Sequence, residues 1–169
     1  MTNNDILRRL RYTFDYNDTK MMAIFELAGH PATREEISAW LKKEDNPDYK
    51  NCGDSVFAKF LNGMITHHRG KREGAPPVAE TKLTNNIIFR KLKIALDLKA
   101  EDVIELLALA DTKISKHELS AFFRKPGHKH YRECKDQILR NFLKGAQQRY
   151  RDGESTDPET EEKKGFSWE

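Results

Sequence analysis

The sequence lacks the features that mark secreted and membrane-spanning proteins. Its 169 residues include only two cysteines, and no apolar run reaches the roughly 18 residues that a transmembrane helix needs. The N-terminal stretch MTNNDILRRLRY has neither the apolar core nor the small-residue cleavage site of a signal peptide. Two cysteines without a signal peptide are typical of reduced thiols. We therefore expect a cytoplasmic protein that does not enter a membrane.

Catalytic motifs are missing as well. The chain contains no G-x-S-x-G, no H-E-x-x-H, no phosphate-binding loop and no dinucleotide fingerprint. The carboxylates Asp15, Asp54, Asp97 and Asp136 fall near predicted helix ends, where capping explains them. We predict that the protein is not an enzyme and uses no cofactor and no small-molecule substrate.

A metal site is also not supported by the ligand pattern. His128, His130 and Cys134 form H-x-H-x3-C, which supplies three soft ligands where a structural zinc site uses four. The corresponding positions of the first half of the chain hold Asn46 and Asp48. A small buried thiol at the start of a helix explains the cysteine better, and we predict no metal.

What the chain does contain is an internal repeat. When the sequence from residue 4 to 69 is compared with itself at a shift of 82 residues, 18 of 66 positions are identical. Unrelated sequences would give roughly four. The identical pairs include Ile6/Ile88, Arg8/Arg90, Leu10/Leu92, Asp15/Asp97, Leu27/Leu109, Glu36/Glu118, Ser38/Ser120, Tyr49/Tyr131, Cys52/Cys134, Phe60/Phe142 and Gly63/Gly145. The chain is therefore a tandem duplication.

Each copy has the apolar spacing of helices, and no stretch alternates as a strand would. We predict an all-α fold, a tandem duplication of a roughly 70-residue helical module with about four helices in each copy. The first helix is expected over 5–14 with Asn4 as its N-cap, and the second over 19–28 with its twin over 101–110. The third opens with the capping boxes Thr33/Glu36 and Ser115/Glu118, and the last begins at Asp54 and Asp136.

The predicted organisation has four segments. Module 1 covers residues 1–72, a linker with Gly74, Pro76 and Pro77 covers 73–81, and module 2 covers 82–151. The last segment, 152–169, is predicted to be a disordered acidic tail.

Charge separates these segments. Residues 4–72 hold 12 Lys/Arg and 10 Asp/Glu, a net of +2, and residues 82–151 hold 16 and 8, a net of +8. Residues 152–169 hold 2 and 7, a net of −5. A basic module is typical of proteins that bind polyanions, and the acidic tail is expected to compete for its surface.

The repeat also resembles a known family. Ile6-Leu-Arg-Arg-Leu-Arg11, Leu27-Ala-Gly29, Glu36-Ile-Ser-Ala-Trp-Leu41, Ser115–Pro126 and Gln137–Gly145 resemble the YehS-like family of small two-repeat bacterial proteins, a domain of unknown function. The resemblance covers about residues 1–151 and implies the two-module architecture. It implies no activity.

A second, weaker resemblance is to lambda-repressor-type helix-turn-helix domains, carried by Leu7–Arg11, Leu27-Ala-Gly29 and the capped third helix. It implies that the third helix lies in the DNA major groove, with Lys116, His117, Ser120 and Arg124 facing outward.

The strongest local signal is the stretch from Phe122 to Arg132, FFRKPGHKHYR, which combines aromatic rings, cations and two histidines. Such a composition contacts phosphates and stacks on bases. The alternative interpretation is that the phenylalanines are core and the cations are solvated, and Tyr131, which repeats Tyr49, favours it. A second basic cluster, His67–Arg72, has its twin at Arg149–Arg151, where cations also complement a helix dipole.

We therefore predict a binding protein whose partner is DNA or structured RNA, recognised through module 2; the alternative is a protein-interaction scaffold. The predicted nucleic-acid contacts are Lys116, Arg124, Lys125, His128, Lys129, His130 and Arg132, with Arg149 and Arg151 as secondary contacts.

Overall fold

The computed structural model describes residues 1–153, which fold into eight α-helices and a short π-helical turn. In chain order these are α1 (Asn3–Thr13), α2 (Asp18–Leu27), α3 (Arg34–Leu41), α4 (Asp54–Arg69), α5 (Asn85–Ala95), α6 (Ala100–Leu109), α7 (Lys116–Phe122), α8 (Asp136–Gln147) and the π-helical turn (Gln148–Asp152). No strand occurs among the described residues. The all-α class and the duplication are confirmed, with α1–α4 forming module 1 and α5–α8 forming module 2. Of the predicted disordered tail, residues 152–169, Asp152 ends the π-helical turn, and the residues after Gly153 lie outside the described part.

The third helix of each module begins as its capping box predicts. In module 1 the Glu36 N–H donates to Thr33 Oγ1 at 3.1 Å, and the Thr33 N–H donates to Glu36 Oε1 at 3.0 Å. Ser115 and Glu118 repeat both bonds at 3.0 and 3.1 Å. Each pair satisfies N–H groups that the first turn of a helix leaves without partners.

The first helix begins earlier than the sequence predicts, because Thr2 and not Asn4 is its N-cap. Thr2 Oγ1 accepts the Asp5 N–H at 3.1 Å, and the Asp5 carboxylate accepts the Thr2 N–H at 2.9 Å. The helix therefore starts at Asn3, and the assignment of Asn4 as the cap is wrong.

Asn4 instead holds the loop that follows α3. Its side chain is 1% exposed, and its Nδ2 donates to the carbonyls of Trp40 at 2.9 Å and Lys50 at 2.8 Å. Its Oδ1 accepts the Cys52 N–H at 2.9 Å. Asn86 makes the same three bonds in module 2, with the carbonyls of Phe122 and Arg132 and the N–H of Cys134. One buried amide in each module thus fixes the course of the α3–α4 or α7–α8 loop.

The second and last helices of each module approach so closely that only glycine fits between them. A Cβ added at Gly63 would lie 1.9 Å from the Ile24 carbonyl oxygen, and one at Gly145 would lie 1.9 Å from that of Leu106. The repeat of glycine in both copies therefore has a packing cause.

The two modules share one hydrophobic core. Helix α4 of module 1 packs along α5 of module 2, and α8 of module 2 packs against α1 of module 1. The buried apolar residues of both modules form a single cluster that runs from Ile6 to Ala146.

Of the four aspartates predicted near helix ends, the repeated Asp15 and Asp97 lie at C-terminal ends. They follow the ends of α1 and α5 and adopt left-handed backbone conformations with φ of 52° and 53°. Asp54 and Asp136, by contrast, do begin α4 and α8, and each accepts a bond from an asparagine at the start of its module, Asn3 or Asn85.

Within residues 1–153, no helix combines the length and the apolar character needed to cross a membrane.

Candidate nucleic-acid interface

Seven of the predicted contact residues belong to one element and the loop after it. Lys116 opens α7, and the remaining six lie in the α7–α8 loop, residues 123–135: Arg124, Lys125, His128, Lys129, His130 and Arg132. All seven side chains are exposed. The structure therefore brings these seven together in one segment on the outside of module 2.

Backbone hydrogen bonds give this loop a defined shape. The Arg132 N–H donates to the Ala121 carbonyl at 3.1 Å, which ties the loop to the end of α7. The His128 N–H donates to the Lys125 carbonyl at 3.0 Å, and the His130 N–H donates to His128 Nδ1 at 3.0 Å. Because Nδ1 accepts this bond, the ring proton of neutral His128 lies on Nε2, which is free to point outward.

Two of the five lysines and arginines among these seven residues have acidic partners. Lys116 Nζ lies 2.8 Å from Glu101 Oε1, and this contact raises the pKa of the lysine and lowers the pKa of the glutamate. Arg132 Nη1 lies 3.8 Å from Glu118 Oε2. All four side chains are more than half exposed, and ion pairs in such settings are weak. A phosphate can therefore replace either carboxylate at low cost.

Three cations are not compensated. Arg124, Lys125 and Lys129 make no ion pair with any residue of the described part of the chain. They flank the turn at Gly127, whose φ of 94° lets the chain reverse there. This turn is the least neutralised part of the predicted site.

Histidines lie on both sides of the loop. The ring centroids of His128 and His130 are 5.6 Å apart, and His130 is 6.5 Å from His117 on α7. The predicted contact list omits His117, which is named only as an outward-facing residue under the helix-turn-helix resemblance. The signal that identifies it is the repeat itself, since the 82-residue shift pairs His117 with Glu35.

The aromatic residues of the stretch are mostly structural. Phe122 is 3% exposed and belongs to the core, with the Arg132 guanidinium 5.9 Å above its ring. Phe123 packs against Phe89 with centroids 5.1 Å apart. Tyr131 is partly exposed and is the ring available for stacking on a base.

The two secondary contacts lie in the π-helical turn, where both already have partners. Arg149 Nη1 is 3.6 Å from Glu105 Oε2 on α6. Arg151 lies over the Tyr12 ring of module 1, with its guanidinium carbon 4.0 Å from the ring centroid, and pairs with Asp15. Their role in nucleic-acid binding stays a prediction.

The two repeated cysteines are buried and unpaired. Cys52 and Cys134 are each 1% exposed, and burial raises the pKa of both thiols to about 12. They therefore stay protonated and unreactive at neutral pH. Within residues 1–153, no three His, Cys, Asp or Glu side chains approach closely enough to share a metal ion.

Comparison with known proteins places this architecture in a family. The model of the family described as "Protein of unknown function (DUF1456)" matches residues 3–70 and again residues 85–152. The chain belongs to the DUF1456 family. It is also 43% identical over 146 residues to the uncharacterized protein YehS of Escherichia coli (strain K12), a match that covers 86% of this chain and 94% of that protein. No solved structure matches the chain. The family match and this relative confirm the predicted resemblance and the duplication, and neither description names an activity.

The helix-turn-helix resemblance receives no support from these comparisons. The α2–α3 and α6–α7 connections span residues 28–33 and 110–115, six residues each. A helix-turn-helix motif uses a turn of about three or four. We therefore do not propose that α3 or α7 lies in the DNA major groove.

Proposed function

We propose that this protein binds nucleic acid, without catalysing a reaction, through the α7–α8 loop of module 2. The observation that carries the proposal is the set of exposed cations without acidic partners, Arg124, Lys125 and Lys129, in a loop of defined shape. Phosphate contacts from lysine and arginine supply most of the free energy of sequence-independent binding. The ring of Tyr131 is available to stack on an unpaired base. The free thiols of Cys52 and Cys134 support a reducing compartment such as the cytoplasm.

The test is binding of fluorescently labelled duplex DNA and stem-loop RNA, measured by anisotropy over a range of salt concentrations. Binding that weakens steeply with salt supports the proposal, because released counterions give the affinity its salt dependence. The double variant Lys125→Glu/Arg132→Glu should weaken binding of the preferred probe by about tenfold or more and flatten the salt dependence.

A matched control exists in module 1, because Lys43 and Lys50 occupy the positions equivalent to Lys125 and Arg132. The double variant Lys43→Glu/Lys50→Glu changes the net charge by the same amount. It should leave binding within about twofold of the unaltered protein, since the proposal assigns no contact to module 1. Equal loss in both variants would show that only net charge matters and would contradict a site in the loop.

The alternative is a scaffold that binds a protein partner. A shallow groove on module 1, with a volume of about 400 Å³, is lined by side chains of both signs, Arg34, Glu35, Lys42 and Asp48 among them. Mixed charge suits a protein surface better than a polyanion. Absence of salt-dependent nucleic-acid binding in the titration above would favour this alternative.

A further inference from the structure

The positions that line the groove on module 1 have counterparts on module 2 with different chemistry, and the surface formed by these counterparts is called the module 2 groove. The module 1 groove lies between α3 and the loop that follows it, and its lining residues are Arg34, Glu35, Ser38, Ala39, Lys42 and Asp48. The 82-residue shift places Lys116, His117, Ser120, Ala121, Arg124 and His130 at the same positions of module 2.

The backbone framework of the two grooves is the same. The Lys50 N–H donates to the Ala39 carbonyl at 3.2 Å, as that of Arg132 does to Ala121 at 3.1 Å. Each loop closes with the same turn, although a different side-chain atom accepts the hydrogen bond within it. The Asp48 N–H donates to Asn46 Oδ1 at 2.9 Å in module 1, and the His130 N–H donates to His128 Nδ1 at 3.0 Å in module 2. The rings of His117 on α7 and His130 in the loop lie 6.5 Å apart, so this part of the helix and this part of the loop are neighbours in module 2.

The lining differs in charge at only two of the six positions. Serine and alanine are identical, and both cationic positions stay cationic, as Arg34/Lys116 and Lys42/Arg124. Glu35 and Asp48, however, are replaced by His117 and His130. With histidines counted as neutral, the module 1 lining has two cations and two acids, and the module 2 lining has two cations and no acid.

We infer that the module 2 groove is a phosphodiester-binding site and that Glu35 and Asp48 are the residues that close the equivalent groove of module 1 to the same ligand. The inference rests on the proposed function. It assigns the difference between the two grooves to two pairs of equivalent residues, Glu35/His117 and Asp48/His130. Carboxylates repel a phosphate and offer it no hydrogen-bond donor, whereas an imidazole donates from a ring N–H. Lys116 and Arg124, both exposed, supply the positive charge of this lining.

The experiment exchanges the two pairs. The variant Glu35→His/Asp48→His should give module 1 a binding site, seen as a second equivalent of DNA or RNA bound at saturation and as tighter overall binding. The variant His117→Glu/His130→Asp should weaken binding by about tenfold. Circular dichroism should show both variants folded, because all four side chains are exposed. Excess inorganic phosphate at constant ionic strength, used as a competitor, distinguishes a site for phosphodiesters from one that takes any phosphate.

A control separates the groove from net charge. Glu44 and Asp45 lie in the same module 1 loop, are exposed, and do not line the groove. The variant Glu44→His/Asp45→His makes the same charge change and should add no second site. If it tightens binding as much as the groove variant does, or if the groove variant adds no second equivalent, the inference is wrong. If the unaltered protein binds neither probe, the proposed function itself fails, and the two failures are thereby distinguished.

Discussion

Arg151 Nη1 lies 3.4 Å from the carboxylate of Asp15, so the last turn of module 2 is bound to the end of the first helix of module 1. Arg69 makes the reciprocal contact, at 2.6 Å from the carboxylate of Asp97. The two pairs correspond to each other under the 82-residue shift, so the modules contact each other reciprocally, as the subunits of a twofold dimer do. Each aspartate lies at a helix C-terminus, where the helix dipole disfavours an anion, and each arginine offsets that cost.

The first prediction concerns Arg151. Its Nη1 also donates to the Tyr12 carbonyl at 2.6 Å, and its guanidinium stacks on the Tyr12 ring. Arg151→Ala should therefore lower the free energy of unfolding by about 1–2 kcal/mol, measured by urea denaturation. Arg69→Ala should cost less, about 0.5–1 kcal/mol, because the Arg69 side chain is 44% exposed against 32% for Arg151 and Ile94 offers no aromatic ring at the position of Tyr12. Arg72→Ala is the control, since Arg72 makes no ion pair with the described residues. An Arg151→Ala protein as stable as this control would contradict a structural role.

The second prediction concerns the close approach of helices. Gly63→Ala and Gly145→Ala should each lower the free energy of unfolding by about 3 kcal/mol or more, because the added methyl group forces α4 from α2, or α8 from α6. Gly53→Ala is the control: a Cβ at Gly53 meets nothing within 4 Å, and its φ of −68° suits any residue. Thermal unfolding monitored by circular dichroism compares the three. A melting temperature for Gly145→Ala equal to that of Gly53→Ala would show that the helices do not pack as described.

The helices and most of their caps could be predicted from the sequence, because apolar spacing and capping boxes are local patterns. The role of Asn4 could not. Asparagine is among the strongest N-cap residues, so its place before an apolar run favoured a cap. What decides its role is the carbonyls of Trp40 and Lys50, which reach it only in the folded chain. Such a bond between distant residues leaves no periodic signal.

The candidate site divides in the same way. The excess of cations in module 2 is a count and could be read directly. Which of these cations are paired with an acidic side chain could not be read from the sequence. Lys116 pairs with Glu101, which is 15 residues away, and Arg151 pairs with Asp15 of the other module. The sequence therefore predicted seven contacts without distinguishing among them and two secondary ones, whereas the structure separates exposed, uncompensated cations such as Arg124 from those with partners.

The third prediction is a loss of stability in mildly acidic solution. Burial lowers the pKa of His67 and of His68. Burial also raises the pKa of Tyr16, so its hydroxyl stays protonated, and it shares a hydrogen bond with His68 Nε2 at 2.6 Å. The unfolded chain binds protons at a higher pH than the folded chain does, so the unfolding free energy falls as pH drops below about 6.5 towards the folded pKa values. The paired carboxylates, whose pKa values are lowered, lose their contribution only in more acidic solution.

The measurement is the unfolding free energy between about pH 7.5 and pH 5, compared with that of His67→Gln/His68→Gln. The variant should be less stable at neutral pH, because the bond from Tyr16 is weakened, but should show a flatter pH dependence. Parallel curves for the two proteins would show that these histidines are not the source of the acid sensitivity.

The fourth prediction concerns the acidic C-terminal segment and rests on charge alone. Residues 154–169 carry six Asp/Glu and two Lys, a net of −4. Attached to the end of module 2, these charges compete with phosphates for the same cations, so removing them should tighten nucleic-acid binding at low salt and change it little at high salt, where screening weakens the competition. Truncation after Gly153 keeps the π-helical turn and its bonds to module 1 intact.

A full-length variant with the six acids replaced by Gln or Asn controls for chain length and should bind like the truncated protein. Unchanged affinity at low salt in both variants would exclude competition by the tail, whereas tightening in the truncated protein alone would show that its bulk and not its charge obstructs the site.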